Sequence, residues 1–317
     1  MSTGQSSSCG TAHPHATDGI WYASYPQGIT LDIEPSRYHS ITHFFDESVQ
    51  RFADRVAYVS LGSTLTFDAL RRHAHAFTSY LQQLGVQHGD RVALMMPNTL
   101  AYPVALFGAL AAGAIVVNVN PLYYTVRELA HQLKDCGAQT IVVFDRFAKT
   151  VQDAQAGTRV RNVIVTGISD LLGSWLNVKG RTLDLFLRHV KKSVPRLRAA
   201  RVRHAATLAM GRKAKFEPVR IGHGDIAFIQ YTGKMAGVAK DAMLTSQYHR
   251  QCDAGARVGE RRARQWQGNR RDAVASLSRV FATINVLMAL GIGARHEPSI
   301  RAISARSRVR YTAKPSP

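Results

Sequence analysis

Residues 89–119 read GDRVALMMPNTLAYPVALFGALAAGAIVVNV, and this stretch decides the fold class. Residues 91–96 form a short apolar run closed by Pro97 and Asn98, the pattern of a buried strand that meets a break. Residues 100–112 are rich in Ala and Leu and read as a helix. Residues 114–119 return to a β-branched apolar run, which Pro121 ends. The longest apolar run, residues 104–117, has 14 residues. That is too short to span a bilayer and suits a buried helix entering a buried strand. Strands with no polar face belong in a parallel sheet covered on both sides.

The rhythm continues downstream. Thr125 and Glu128 form a T-x-x-E capping box that opens a helix running to Cys136, and Gly137 stops it. Residues 140–144 are a strand, 147–154 a short helix and 162–166 another strand. Upstream, Ser40 caps a helix whose apolar positions Ile41, Phe44, Phe45, Val49 and Phe52 recur at helical spacing. Residues 56–61 and 64–67 read as strands joined at Gly62-Ser63, and a helix follows over 68–84, stopped by Gly85. The expected fold is an α/β doubly wound parallel sheet.

Composition sets the bounds on function. The chain has 317 residues, is 45% hydrophobic and carries a formal net charge of +20. That charge suits nucleic acid, an anionic membrane surface or a phosphate-rich ligand. It is unevenly placed, because residues 246–317 hold 14 Lys/Arg against 4 Asp/Glu, and 13 of the 14 are Arg. Few aromatics interleave with those arginines (Trp266, Phe281, Tyr311) and no reader motif accompanies them. A basic nucleic-acid-binding protein is therefore the weakest of the readings, and no nucleic-acid partner is expected. The cysteines Cys9, Cys136 and Cys252 are scattered without a C-x-x-C. This argues against a disulfide framework or structural zinc and for a reducing, cytoplasmic setting. Residues 1–21 are expected to be a disordered polar tail with no secretory h-region; His13 and His15 belong to it.

Residues 225–230 form another buried strand by composition. It runs directly into Tyr231-Thr232-Gly233-Lys234-Met235-Ala236-Gly237-Val238-Ala239-Lys240. A strand followed by a Gly- and Thr-bearing turn that ends in Lys can hold polyphosphate. Glycines admit backbone N–H groups to the oxygens, hydroxyls add donors, and Lys adds a point charge. An ordinary strand-to-loop turn has a similar look, and the spacing is not that of G-x-x-x-x-G-K-[ST].

The flanks decide between these. Y-T-G-K-M-A-G-V-A-K-D over 231–241 resembles the signature Y-T-G-G-T-T-G-x-A-K-G of the adenylate-forming family, the AMP-forming acyl-CoA synthetases. Leu65-Thr66-Phe67 with Leu70, and GDRVALMMPN over 89–98, resemble earlier motifs of that family. AAGAIVVNVNPLY over 111–123, RELAHQLKDCG over 127–137 and TLDLFLRHVKKSVP over 182–195 are similar to the bacterial long-chain fatty acid–CoA ligases. The resemblance covers residues 22–245. It implies a two-step reaction of fatty acid, Mg2+-ATP and coenzyme A, giving acyl-CoA, AMP and pyrophosphate. It makes Tyr231, Thr232, Gly233, Gly237 and Lys240 the cofactor-binding set, with Thr232, Gly233, Gly237 and Lys240 touching the ATP phosphates and Gln230 and Tyr231 shaping the approach. No catalytic residue and no metal ligand is assigned.

Within the resemblance there are departures. Lys234, Met235 and Ala236 stand where the family has Gly-Thr-Thr, and Asp241 replaces the closing Gly. The family's aromatic-His pair would fall at 276–280, which here reads Ser-Leu-Ser-Arg-Val. Residues 281–290 (FATINVLMAL) again resemble the family's next helix. The family's later motifs are not found, so the chain is expected to be a truncated, amino-terminal portion that does not complete the reaction. A non-catalytic remnant is the alternative. Residues 246–317 are expected to be degenerate, with 246–275 and 291–317 frame-shifted; the rival is a genuine basic tail. Resequencing the coding DNA separates the two. Residues 181–198 read either as a surface helix packed on the domain or as a basic amphipathic helix lying on the inner face of a membrane. Liposome binding that survives Lys191→Glu with Lys192→Glu would refute the second.

Overall fold

Three polar side chains set where the first half of the fold begins its helices. Ser40 accepts from the His43 N–H at 3.1 Å and starts α1 (Ile41–Arg51). Thr66 accepts from the Ala69 N–H at 3.2 Å and starts α2 (Phe67–Gln83). Thr125 and Glu128 cap each other reciprocally at α4 (Val126–Cys136), which Gly137 ends in the left-handed conformation at φ 63°. α3 (Ala101–Ala111) has no side-chain cap and is buried on nearly every side, so packing holds it rather than its ends.

The computed structural model describes residues 38–60, 62–120, 125–167, 170–171, 202–231 and 241–248, with 286, 287, 290, 291, 293 and 295. The expected tail at 1–21 and the amphipathic segment at 181–198 lie outside the described residues. β1 (Val56–Ser60) and β2 (Ser63–Thr66) form a small antiparallel pair. The main sheet runs β7-β6-β5-β3-β4-β8-β9. Its strands are β3 (Arg91–Met95), β4 (Ile115–Asn118), β5 (Thr140–Phe144), β6 (Asn162–Thr166), β7 (Val202–Arg203), β8 (Ile226–Tyr231) and β9 (Asp241–Thr245). All pair in parallel except β8 with β9, which is antiparallel. The expected doubly wound sheet is present, with one antiparallel strand at its edge.

Alternation along the strands divides the core into two layers. Val92, Leu94, Val116, Val142, Ile164 and Phe228 face α1, α2 and α3. Ala93, Met95, Val117, Val143, Val165 and Ile229 face α4 and α5 (Ala148–Ala154). The first layer is aromatic: Phe45 and Phe107, both about fully buried, stack at 4.3 Å between ring centroids. Three side chains from far along the sequence, Val286, Leu287 and Leu290, join this layer. They belong to residues 281–290, the stretch that resembles the family's next helix.

Most elements begin or end within a residue or two of their expected bounds, and two of the shifts have a visible cause. The strand expected over 64–67 ends at Thr66, because the Thr66 hydroxyl caps α2 and makes Phe67 its first residue. The strand expected over 225–230 lies one residue later, Ile226–Tyr231, since Tyr231 is still paired with Asp241.

α6 (His204–Gly211) closes the first layer over α2. His204 is buried, its ring meets Phe77 edge-on at 5.0 Å, and burial pushes its pKa down to about 3 from 6.5. His73 moves the same way, to about 4, through burial and then the nearby Arg212 and Arg72. Both imidazoles are neutral in the fold and bind protons more weakly than in the unfolded chain. Stability is therefore complete above about pH 6.5 and falls as pH drops toward the folded-state values. Thermal melts taken from pH 7.5 down to 5 are expected to show a falling midpoint. His204→Leu is expected to flatten that slope, and an unchanged slope would refute the assignment.

Candidate functional site at the carboxyl edge of the sheet

The loop after β3 leads to α3 on one face, and the loops after β4 and β5 lead to α4 and α5 on the other. Neighbouring strands whose connections diverge leave a crevice at their carboxyl ends, the usual ligand position of an open α/β sheet. β8 lies directly beside β4, with Asn118 and Gln230 as register partners at those carboxyl ends. The predicted phosphate segment leaves β8 at this edge.

That end of the sheet is tied from both faces. From α3, the Tyr102 hydroxyl donates to the Asn118 side-chain oxygen at 3.0 Å. From α4, the Gln132 amide donates to the Asn118 carbonyl at 3.5 Å. The Tyr231 hydroxyl donates to the Asp135 carboxylate, also on α4, at 2.5 Å. A hydroxyl on a carboxylate makes a short, charge-assisted bond.

Of the residues singled out by sequence, Gln230 and Tyr231 are placed by the structure. Thr232, Gly233, Gly237 and Lys240 lie outside the described residues. What is fixed is the pair of positions that residues 232–240 join, because Tyr231 and Asp241 face each other across β8 and β9. The two ends therefore lie at one level of the sheet, one on β8 beside β4 and one on the edge strand β9.

The rest of the described surface narrows the chemistry. Burial pushes the Cys136 thiol up to about 11, so it is protonated at neutral pH and is not a nucleophile. Among the described residues no group of three or more His, Cys, Asp or Glu is placed to hold a metal ion. No helix among them is long and apolar enough to cross a membrane. At the end of β8 the Gln230 amide nitrogen is a buried donor without a partner among the described residues. Sequence reading placed Gln230 in a buried strand but did not find the Asp135 contact or the partnerless Gln230 amide. Neither has a local signature, since each depends on pairing across far-separated elements.

Comparison with known proteins gives concordant matches. The chain is 40% identical over 282 residues to a long-chain-fatty-acid–CoA ligase of Yersinia pestis, covering 87% of this chain and 49% of that protein. It is 45% identical over 228 residues to the long-chain-fatty-acid–CoA ligase of an Escherichia coli O6:H1 strain, covering 71% of this chain and 40% of the other. The chain thus spans about half, or less, of the length of these curated relatives. In fold it is similar to the crystal structure of the anthranilate CoA ligase AuaEII in complex with anthranoyl-AMP. That superposition has a TM-score of 0.64 at 17% identity and covers 83% of this chain and 45% of that one. The family model for AMP-binding enzymes matches residues 45–298, which takes in the sheet, its carboxyl edge and the returning core segment, and the chain belongs to that family.

Proposed function

We propose that this chain is the nucleotide-binding, amino-terminal part of a long-chain fatty acid–CoA ligase. The observation that carries it is that Tyr231, at the carboxyl end of β8 beside β4, pairs with Asp241 of β9, so the two ends of the phosphate-like segment are held at the carboxyl edge of the sheet. In the reaction so assigned, a fatty carboxylate oxygen bonds to the α-phosphorus of ATP. The bond to the β-phosphate breaks and pyrophosphate leaves. The thiol of coenzyme A then bonds to the acyl carbon, loses its proton, and AMP departs with the carboxylate oxygen. Thr232, Gly233, Gly237 and Lys240 hold the phosphates, and Tyr231, tied to Asp135, shapes the approach. Their work is positioning and charge neutralisation rather than covalent chemistry. Magnesium, when bound, would shield the phosphate oxygens; no described residue is assigned to it. Residues 22–245 form this binding part in our reading, and 246–317 are a degenerate Arg-rich segment that returns to the core near Leu287.

A second reading is favoured by the substitutions at 234–236 and 241: a non-catalytic relative with weakened nucleotide binding. Titrating the purified full chain with ATP and Mg2+ tests both. The first reading expects saturable binding that Lys240→Ala weakens by about tenfold or more, the scale of one charge-assisted contact. Absence of saturable binding would establish the second.

A further inference from the structure

Buried polar side-chain atoms without a hydrogen-bond partner are rare in folded proteins, and each one calls for a reason. Among the described residues seven side-chain atoms are of this kind; Gln132 Oε1 on α4, Gln152 Oε1 on α5 and Arg295 Nε are three of them, and the other four share one edge of the sheet. Thr99 Oγ1 lies in the turn after β3, Thr166 Oγ1 in the last residue of β6, His204 Nε2 directly after β7, and Gln230 Nε2 near the end of β8. All four lie at carboxyl ends of strands in the parallel part of the sheet. Leaving such a group unpaired costs stability. A fold that concentrates these costs where ligands bind is prepared for a ligand.

Gln230 is the most informative of the four. Its residue is 3% exposed, and its amide nitrogen has no partner. Alternation along β8 places it with Phe228 on the α3 face, while Ile229 and Tyr231 turn to the α4 face. Its register partner Asn118 receives the Tyr102 hydroxyl at 3.0 Å, so the neighbouring amide oxygen is already engaged. Gln230 is thus a buried donor, two residues before Thr232, with no acceptor among the described residues.

We propose that Gln230 is a substrate-contacting residue whose amide donates to an anionic oxygen of the bound ligand. This rests on the reading of the site given above and adds a residue to it. Two sources supply that chemistry: a phosphate of ATP, or the carboxylate of the fatty acid. A neutral amide suits either, because it binds an anion without itself needing a counter-ion when the site is empty.

The test uses the full chain with Gln230→Leu, which is close in volume and has no donor. Melting in the absence of ligand comes first. Removing an orphaned amide is expected to leave the midpoint unchanged or raise it. A drop would show that the amide supports the fold, and would overturn the proposal. Titrations with Mg2+-ATP and, separately, with palmitate follow. Gln230→Leu is expected to weaken one of them by on the order of ten- to a hundredfold, and the affected ligand identifies the oxygen. Gln230→Asn, with a shorter amide, is expected to recover part of that loss. If neither ligand is affected while Lys240→Ala still weakens ATP binding, Gln230 is not a contact and the nucleotide site stands. If the parent chain binds neither ligand, this proposal and the ligase reading fall together.

Discussion

Gly211→Ala is expected to destabilise the protein by more than about 3 kcal/mol, beyond the usual range for an added methyl group in a packed core. A Cβ at Gly211 would sit 1.7 Å from the Ala76 carbonyl oxygen, 2.7 Å from its carbon and 3.2 Å from the Tyr80 nitrogen. All three are backbone atoms of α2, so no rotamer change relieves the contact. α6 must move away from α2, and the cost includes what that uncovers: Phe77, Ala76 and Tyr80 are all buried beneath it. Gly108 provides a scale. Its added Cβ would meet the Ala74 oxygen at 2.9 Å and two atoms of the Phe77 side chain at 2.9 and 3.0 Å. Part of that crowding can be relaxed by a side chain, so Gly108→Ala is expected to cost less. Denaturant melts of the two variants check the order. A Gly211→Ala protein as stable as its parent would show that α6 does not lie against α2 in this way.

Where the sequence could be read, it was through local chemistry. Ser40 and Thr125 are small polar residues that accept from a backbone N–H three positions on, and the structure uses both as the expected caps, whereas Thr66, read as part of a strand, proves to be a third. Residues 89–119 specify strand, helix and strand because an apolar run between Pro97 and Pro121 has few other ways to bury itself. The stretch at 281–290 also kept its signal through an Arg-rich surround, and Val286, Leu287 and Leu290 are buried.

What escaped the sequence is non-local. α6 shows no hydrophobic period, since its buried positions His204, Thr207, Leu208 and Gly211 are partly polar while its exposed positions are Ala205, Ala206, Ala209 and Met210. The need for glycine at 211 comes from a helix more than a hundred residues away in the chain. β9 was not separated from the phosphate segment, because its first residue, Asp241, is also the last of the motif, and Met243 is left exposed. A buried amide looks like any other glutamine until Asn118 and Tyr102 are placed around it.

Returning the phosphate segment to the family pattern is expected to raise the affinity for Mg2+-ATP by on the order of a hundredfold. The variant carries Lys234→Gly, Met235→Thr, Ala236→Thr and Asp241→Gly. Each change has a separate physical reason. Glycine at 234 lets the backbone N–H groups come close to a phosphate oxygen, which a long side chain obstructs. Two threonine hydroxyls supply two more donors, and a hydrogen bond to a charged group is worth about 1.5–3 kcal/mol. Two such bonds alone account for a factor of about a hundred or more. Removing a carboxylate next to Lys240 in sequence lessens repulsion of the triphosphate. The frame around these positions is unchanged, because Tyr231 and residue 241 stay paired and Gln230 stays beside Asn118. Glycine in place of Asp241 weakens β9 by about 0.5–1 kcal/mol, a cost that a parallel melt of the variant measures. The gain is expected to vanish when Lys240→Ala is added, since the lysine supplies the point charge around which the donors work. An affinity that rises and then collapses with Lys240 would show a nucleotide site intact in its placement and diminished only in its donors. An affinity that does not rise would mean that this edge of the sheet does not bind ATP, even with the family's residues in place.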